Sequence, residues 1–283
     1  MNRILVTGAT GNVGRQVVAQ LVAEGIGVRA LARRPQAAGA LDGAEVATGD
    51  LAEPESLEAA LTGIDTVFLI WPFLTTEGAP AVLEAIGRHA RRIVYLSSSG
   101  VREDAGRQSD PINQLHADME ALIEGSALEW AVLRSNTIAS NTLGWAAQIR
   151  STGAVRGPGI APTAVIHERD VAAVAVRVLA DTGQGQAGVK HVLTGPEVVS
   201  RTEQVRAIGE AIGRPLRFEE VPVEIAREQM LADGRPPALV EALLASAEKR
   251  SRSDLVTGTV EEITGKAART FRVWAGDHAD DFR

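Results

Sequence analysis

The sequence predicts a doubly wound α/β fold: a parallel sheet covered by helices on both faces, with a smaller, mostly helical C-terminal lobe. Three observations lead there. Short apolar runs alternate with helix-period segments along residues 1–141, a glycine-punctuated turn joins the first such pair, and strand-like runs become scarce after Pro196.

The first pair lies in "ILVTGATGNVGRQVVAQLV". Ile4, Leu5 and Val6 form a buried-strand run, after which Val13, Val17, Val18, Leu21 and Val22 recur at helical spacing. Gly8, Gly11 and Gly14 stand three apart between them, so the backbone turns sharply, admits a ligand, and packs the new helix close to the strand. A helix start of this kind presents free N–H groups and partial positive charge, which suits a pyrophosphate. Glycines alone are weak evidence. Their strand-turn-helix setting marks a phosphate-binding turn.

The alternation continues along the chain. "GVRALAR" reads as a strand, "SLEAALTG" as a helix stopped by Gly63, "DTVFLIWPF" as a strand and "APAVLEAIGRHA" as a helix. "RRIVYLSSSG", "QLHADMEALIEGS" and "EWAVLRSN" then read as strand, helix and strand. From Thr142 the glycine- and proline-rich "STGAVRGPGIAPTAVI" breaks the rhythm. A helix at "ERDVAAVAVRVLAD" and a strand at "KHVLTG" return residues 165–195 to the sheet. Residues 142–164 and 196–283 are expected to form the smaller lobe, the latter as helices at "SRTEQVRAIGEAIG", "VEIAREQMLADG", "PPALVEALLASAEKR" and "TVEEITGKAARTFRVWAGD". Ligands of such a sheet bind at the carboxyl ends of its strands.

Composition narrows the function. The chain of 283 residues contains no cysteine, which excludes disulfides, zinc-thiolate sites and thiol catalysis, and fits a reducing cytoplasm. A formal net charge of -7 argues against nucleic acid as the main ligand. The run "TVFLIWPFL" is too short to cross a bilayer, and "MNRILVTG" enters a strand without signal-peptide architecture, so a soluble cytoplasmic protein is expected. His89, His167, His191 and His278 are scattered without ligand spacing, so no metal is expected. Trp145 and Trp274 lie on helix-like patterns and are expected to pack.

Several motifs together resemble the short-chain dehydrogenase/reductase superfamily, in its atypical NmrA-like branch, whose members include quinone and azo reductases. They are "TGATGNVG" at Thr7 to Gly14, "GDL" at Gly49 to Leu51, "VYLSSSG" at Val94 to Gly100, "HADME" at His116 to Glu120 and "WAVLRSNTIASN" ending at Asn141. "HERDVAAVA" and "LTGPEVVS" extend the resemblance over nearly the whole chain. It implies a Rossmann fold that binds NAD(P), with Gly8, Thr10, Gly11, Asn12, Val13 and Gly14 around the pyrophosphate.

The second strand bears on the choice of dinucleotide. NAD sites place a carboxylate at its end, whereas here "LARRP" offers Arg33 and Arg34, suited to a ribose 2′-phosphate or else a solvated surface pair. NADP(H) is favoured, with NAD(H) possible. By the resemblance Asp50 and Leu51 meet the adenine edge and face; Asp50 reads equally as a cap for a helix near Pro54. Ile70 and Trp71 end a strand over the cofactor cleft, and Trp71 either stacks on a flat substrate or packs in the core. Pro72 and Asn136 are further candidate substrate contacts. Of Ser97 and Ser98, one is expected to bond the carboxamide or a substrate oxygen while the other satisfies the strand end.

The superfamily's usual tyrosine acid, with a lysine four residues later, is missing. The one tyrosine, Tyr95, sits in an apolar strand with Ser99 four residues on, and is expected to pack. In the branch a lysine often precedes a glutamate by four residues; here the pair is His116 and Glu120, on one helix face, where the carboxylate would orient the imidazole and raise its pKa. His116 is the candidate catalytic residue, as cofactor contact or proton donor, against an ordinary exposed helix pair. The resemblance implies an NADPH-dependent reductase of an apolar conjugated small molecule (quinone, enone, imine, azo or carbonyl compound). The alternative is a non-catalytic NADP sensor that acts on a regulatory partner.

Overall fold

The computed structural model describes residues 3–34, 41–181, 183–249 and 254–283. Its strands are β1 (Ile4–Val6), β2 (Val28–Ala32), β3 (Glu45–Thr48), β4 (Thr66–Leu69), β5 (Arg92–Ser98), β6 (Glu129–Ser135), β7 (Ala154–Gly157), β8 (Val189–Leu193) and β9 (Arg217–Glu220). The helices are α1 (Asn12–Ala23), α2 (Glu58–Leu61), α3 (Ala79–His89), α4 (Pro111–Glu124), α5 (Ala146–Thr152) and α6 (Glu168–Ala180). They continue with α7 (Arg201–Ile212), α8 (Val223–Ala232), α9 (Pro237–Lys249), α10 (Thr259–Thr264), α11 (Phe271–Asp277) and α12 (Ala279–Phe282).

The period of two along each strand divides the core. In β1, Ile4 and Val6 pack with Val17, Val18 and Leu21 of α1 and Val174 and Val178 of α6, while Leu5 packs with Leu61, Val82 and Ile86 on the opposite face. All neighbouring strands of the main sheet are parallel, in the order β3-β2-β1-β4-β5-β6-β8. The chain reverses its direction of sheet growth between β1 and β4, the place at which ligands of such sheets bind. Tyr95, Ile93 and Val132 face the layer of α2, α3 and α4, which places Tyr95 beneath α4.

The predicted doubly wound sheet is the one observed, and four local expectations change. Strand β3 was not anticipated, because Glu45 to Thr48 is a short, mostly exposed edge strand without an apolar run. The smaller lobe also contains a two-stranded parallel sheet, β7 with β9, since four-residue strands such as "RFEE" carry no periodic signal. The closing segment is broken at Gly265, whose φ of 71° ends α10. Helix α10, expected in the lobe, packs on α6 and β8 through Val260 in the sheet-side core.

The rest of the lobe has its own core, in which Trp145, Ile149, Val205, Ile208, Phe271, Trp274 and Phe282 cluster. Helices α8 and α9 pair through Ala226, Val240 and Leu244, and α9 rests on α4.

Candidate functional site

The glycine turn has the geometry its residues suggest. Gly8 holds φ at 58°, and its carbonyl accepts the Gly11 N–H at 2.9 Å. A Cβ on Gly14 would stand 2.1 Å from that carbonyl oxygen, so only glycine allows α1 to start so close to β1. A Cβ on Gly11 would meet only the same oxygen, at 3.2 Å, and Gly11 is exposed. Thr10 and Asn12 are exposed as well, whereas Val13 is buried. No side chain caps α1 and no acid lies in its first turn, so the starting amides remain free for an anion. Thr7 Oγ1 accepts the Ile70 N–H at 2.8 Å and donates to the Ile70 carbonyl at 3.1 Å. This clasp joins β1 to β4 at the switch point.

Arg33 and Arg34 follow β2, are exposed, and make no hydrogen bond or ion pair with any described residue. Asp50 does not cap the helical turn that begins at Pro54, whose N-cap is Glu53. Its carboxylate instead accepts the Ala52 N–H at 3.0 Å in a local turn. Leu51 is buried with Leu57 and Leu61.

Trp71 is buried in the core beside Phe73. Its Nε1 donates to the Thr75 carbonyl at 2.9 Å and its ring meets Phe73 edge-on at 5.0 Å, so it shapes the loop after β4. Pro72 is exposed beside it. Asn136 accepts from Thr163 Oγ1 and from the Thr137 N–H, both at 2.7 Å, and so joins the end of β6 to the returning segment. A cavity of about 540 Å³ lies between the loop at Leu74, Thr75 and Thr76 and the start of α4, and neither Trp71, Pro72 nor Asn136 lines it.

Both strand-end serines are engaged. Ser98 Oγ donates to Asn113 Oδ1 at 2.8 Å and accepts the Gly100 N–H at 3.1 Å. Asn113 in turn donates to Asp110 at 2.6 Å, and Asp110 caps α4 through the Ile112 and Asn113 amides. Ser97 is buried and donates to Glu120 at 2.6 Å.

That bond belongs to a network the sequence reading missed. Arg134 Nη2 reaches Glu120 at 2.6 Å and Nη1 reaches Glu103 at 3.1 Å, while Lys190 Nζ stands 2.7 Å from Glu124 and 3.6 Å from Glu120. Burial disfavours the Arg134 charge, yet its bonds to Glu120 and Glu103 hold its pKa above the ordinary value. The available signal was an arginine inside the apolar strand "WAVLRS", since a charge on a buried strand demands a partner.

Glu120 therefore does not orient His116, contrary to the expectation from their spacing. The positions share a helix face, but Glu120 is drawn into the stronger pair with Arg134. His116 Nδ1 lies instead 2.7 Å from the Tyr95 hydroxyl. Burial lowers the His116 pKa to about 4, against the smaller opposing effects of the Glu120 and Asp110 carboxylates, so the expected rise is reversed.

Elsewhere, His167 and His278, far apart in sequence, meet around Glu168: His278 Nε2 is 2.7 Å from Glu168 Oε1, and Trp274 Nε1 donates to the same carboxylate at 3.0 Å. Among the described residues, no group of three or more histidine, aspartate or glutamate side chains is arranged to hold a metal ion. Nor, among these residues, is any helix long and apolar enough to cross a membrane.

In doubly wound sheets a glycine turn at the switch point, as here between β1 and β4 of the order β3-β2-β1-β4-β5-β6-β8, is the usual dinucleotide site. Comparison with known proteins agrees: the NAD(P)H-binding family model matches residues 8–182. The chain belongs to the NAD(P)H-binding family. This NAD(P)H-binding chain is 42% identical over 286 residues to the (4-alkanoyl-5-oxo-2,5-dihydrofuran-3-yl)methyl phosphate reductase of Streptomyces griseus subsp. griseus, spanning 99% of each. It is 32% identical to the NAD(P)H azoreductase of Xenophilus azovorans, again over 99% of each. In fold it resembles an NADPH-dependent quinone oxidoreductase of Escherichia coli, with a TM-score of 0.79 at 23% identity over 97% of this chain and 98% of the other. Both of these full-length relatives are named as reductases.

Proposed function

We propose that the protein uses NADPH to reduce an electron-poor conjugated double bond, with an enone or unsaturated lactone as the leading substrate class and quinones, azo compounds, imines and simple carbonyls behind it. The observation that carries this is the 42% identity, end to end, to a reductase named for a 5-oxo-2,5-dihydrofuran bearing an acyl group. Such a ring holds a double bond conjugated to carbonyl groups.

The residues present fit the dinucleotide, because the space at Gly11 and the uncapped start of α1 form an open anion cradle. In this reading the backbone of Gly8 to Gly14 holds the pyrophosphate, and the exposed Arg33 and Arg34 hold the ribose 2′-phosphate. Asp50 and Leu51 border the adenine, and Ile70 lies under the dinucleotide beside Gly8, where a glycine Cβ would come 3.2 Å from its own. Ser98, through Asn113, and Trp71, through Thr75, shape the nicotinamide end without contributing an idle group. When bound, the reduced nicotinamide supplies the hydride. The chain supplies orientation and a hydrogen bond from His116, and the proton comes from water, because a neutral imidazole is a poor acid. Pro72 and Asn136 border the substrate.

A panel of unsaturated lactones, enones, quinones and azo dyes, followed by NADPH oxidation, tests the proposal. Turnover is expected first on the conjugated lactones and enones, well above a Gly11→Val blank. Turnover on quinones or azo dyes alone would displace the substrate class, and none on any compound would overturn the proposal.

A further inference from the structure

The chemistry of His116 is set from beneath. Tyr95 is fully buried in β5, and its hydroxyl lies 2.7 Å from His116 Nδ1 on α4. Burial raises the tyrosine pKa, and the nearby Glu120 carboxylate raises it further, so the phenol keeps its proton. Among the described residues that proton has no acceptor other than His116 Nδ1. Nδ1 must then be the bare nitrogen, and the single ring proton of a neutral imidazole sits on Nε2. His116 Nε2 has no partner among the described residues, and the residue keeps some exposure, so this N–H remains available to a ligand. The charged groups that face the ring are Glu120 on the same helix and Asp110 at its cap. Both are committed elsewhere, Glu120 to Ser97 and Arg134, Asp110 to the amides of α4 and to Asn113.

We propose that Tyr95 is a positioning residue: it locks His116 as the neutral Nε2–H tautomer and so makes it a fixed, uncharged hydrogen-bond donor to an oxygen acceptor of a bound ligand. Where the branch has a lysine cation, this chain presents a dipole aimed by the strand below. The tautomer belongs to the free protein; only the acceptor beyond Nε2 rests on the reductase reading.

The test begins with long-range ¹H–¹⁵N spectra of histidine-labelled wild-type protein, with the His116 signals assigned by their loss in His116→Gln. The expected result is a protonated Nε2 and a bare Nδ1 that do not titrate between about pH 5 and 8. A doubly protonated ring at neutral pH, or the Nδ1–H tautomer, overturns the proposal without recourse to any variant. Tyr95→Phe, checked for folding by circular dichroism, should release the lock, giving mixed tautomers and a ring that titrates at higher pH. An unchanged spectrum also overturns it.

Binding identifies the acceptor. His116→Gln keeps an N–H near the place of Nε2 and should stay close to wild type, whereas His116→Leu should lose about 3- to 10-fold, the size of one neutral hydrogen bond. A loss in NADPH Kd assigns the acceptor to the dinucleotide; a loss only in substrate KM assigns it to the substrate. No loss in either refutes the donor. Correct tautomer and NADPH binding without turnover on any compound would defeat the reductase reading alone.

Discussion

Glu120 and Arg134 meet at 2.6 Å with 3% and 8% of their side chains exposed, a buried ion pair between the helix that carries His116 and the adjacent strand. Removing one partner strands the other charge. Arg134→Met is therefore expected to lower unfolding stability by about 3 to 5 kcal/mol. The double variant with Glu120→Gln should lose less than the sum of the two single changes. Urea denaturation of the four proteins measures this cycle, and strict additivity would mean that the pair is not coupled.

The two later glycines of the turn should fail differently. Gly14→Ala places its Cβ 2.1 Å from a backbone oxygen, so the turn itself must shift and thermal stability should fall. Gly11→Val meets only one oxygen near contact distance, so a near-native circular dichroism spectrum is expected, with dinucleotide binding lost. Calorimetric titration of both variants with NADPH distinguishes the two.

Arg33 and Arg34 are exposed and unpaired among the described residues, as a site for a 2′-phosphate requires. NADPH is expected to bind more tightly than NADH, and the paired change Arg33→Ala and Arg34→Ala should remove most of the difference. Each good charge-assisted contact contributes about 1.5 to 3 kcal/mol. Equal affinities in the unmodified protein would refute the preference.

The partly buried imidazole of His116 gives the fold an acid sensitivity. Its pKa falls from 6.5 to about 4 on folding, so the unfolded chain binds the proton first as pH drops. The His116 contribution is unchanged above the unfolded value. It declines between about pH 6.5 and 4 by a total of about 3 kcal/mol. His278 acts in the opposite sense: its bond to Glu168, with help from Asp281, outweighs burial and raises its pKa, so its stabilisation is full below the unfolded value and fades as pH rises through the folded one. Denaturation curves from pH 7 to 4 for wild type and His116→Gln should diverge, the variant losing less stability.

The sheet and the cradle were legible along the chain because their signals are local. Ile4 to Val6 followed by three glycines and a helical valine repeat needs no distant partner to be read. Short polar strands such as β3 and β9 were not legible, because their pairing is decided by the edge they join. Arg134 could be marked as anomalous but not matched, since Glu120 is one of many acids until the chain is folded.

His116 shows the division most sharply. Its place on α4 and its four-residue spacing from Glu120 follow from sequence, as does the absence of a tyrosine-lysine dyad. Which neighbour it bonds does not. Helical spacing brings Glu120 to the same face, but β6 supplies Arg134 to claim the carboxylate and β5 supplies Tyr95 to claim Nδ1. Both partners arrive from strands whose lateral order is a property of the whole sheet, and the burial that lowers the imidazole pKa exists only once α4 has packed on that sheet.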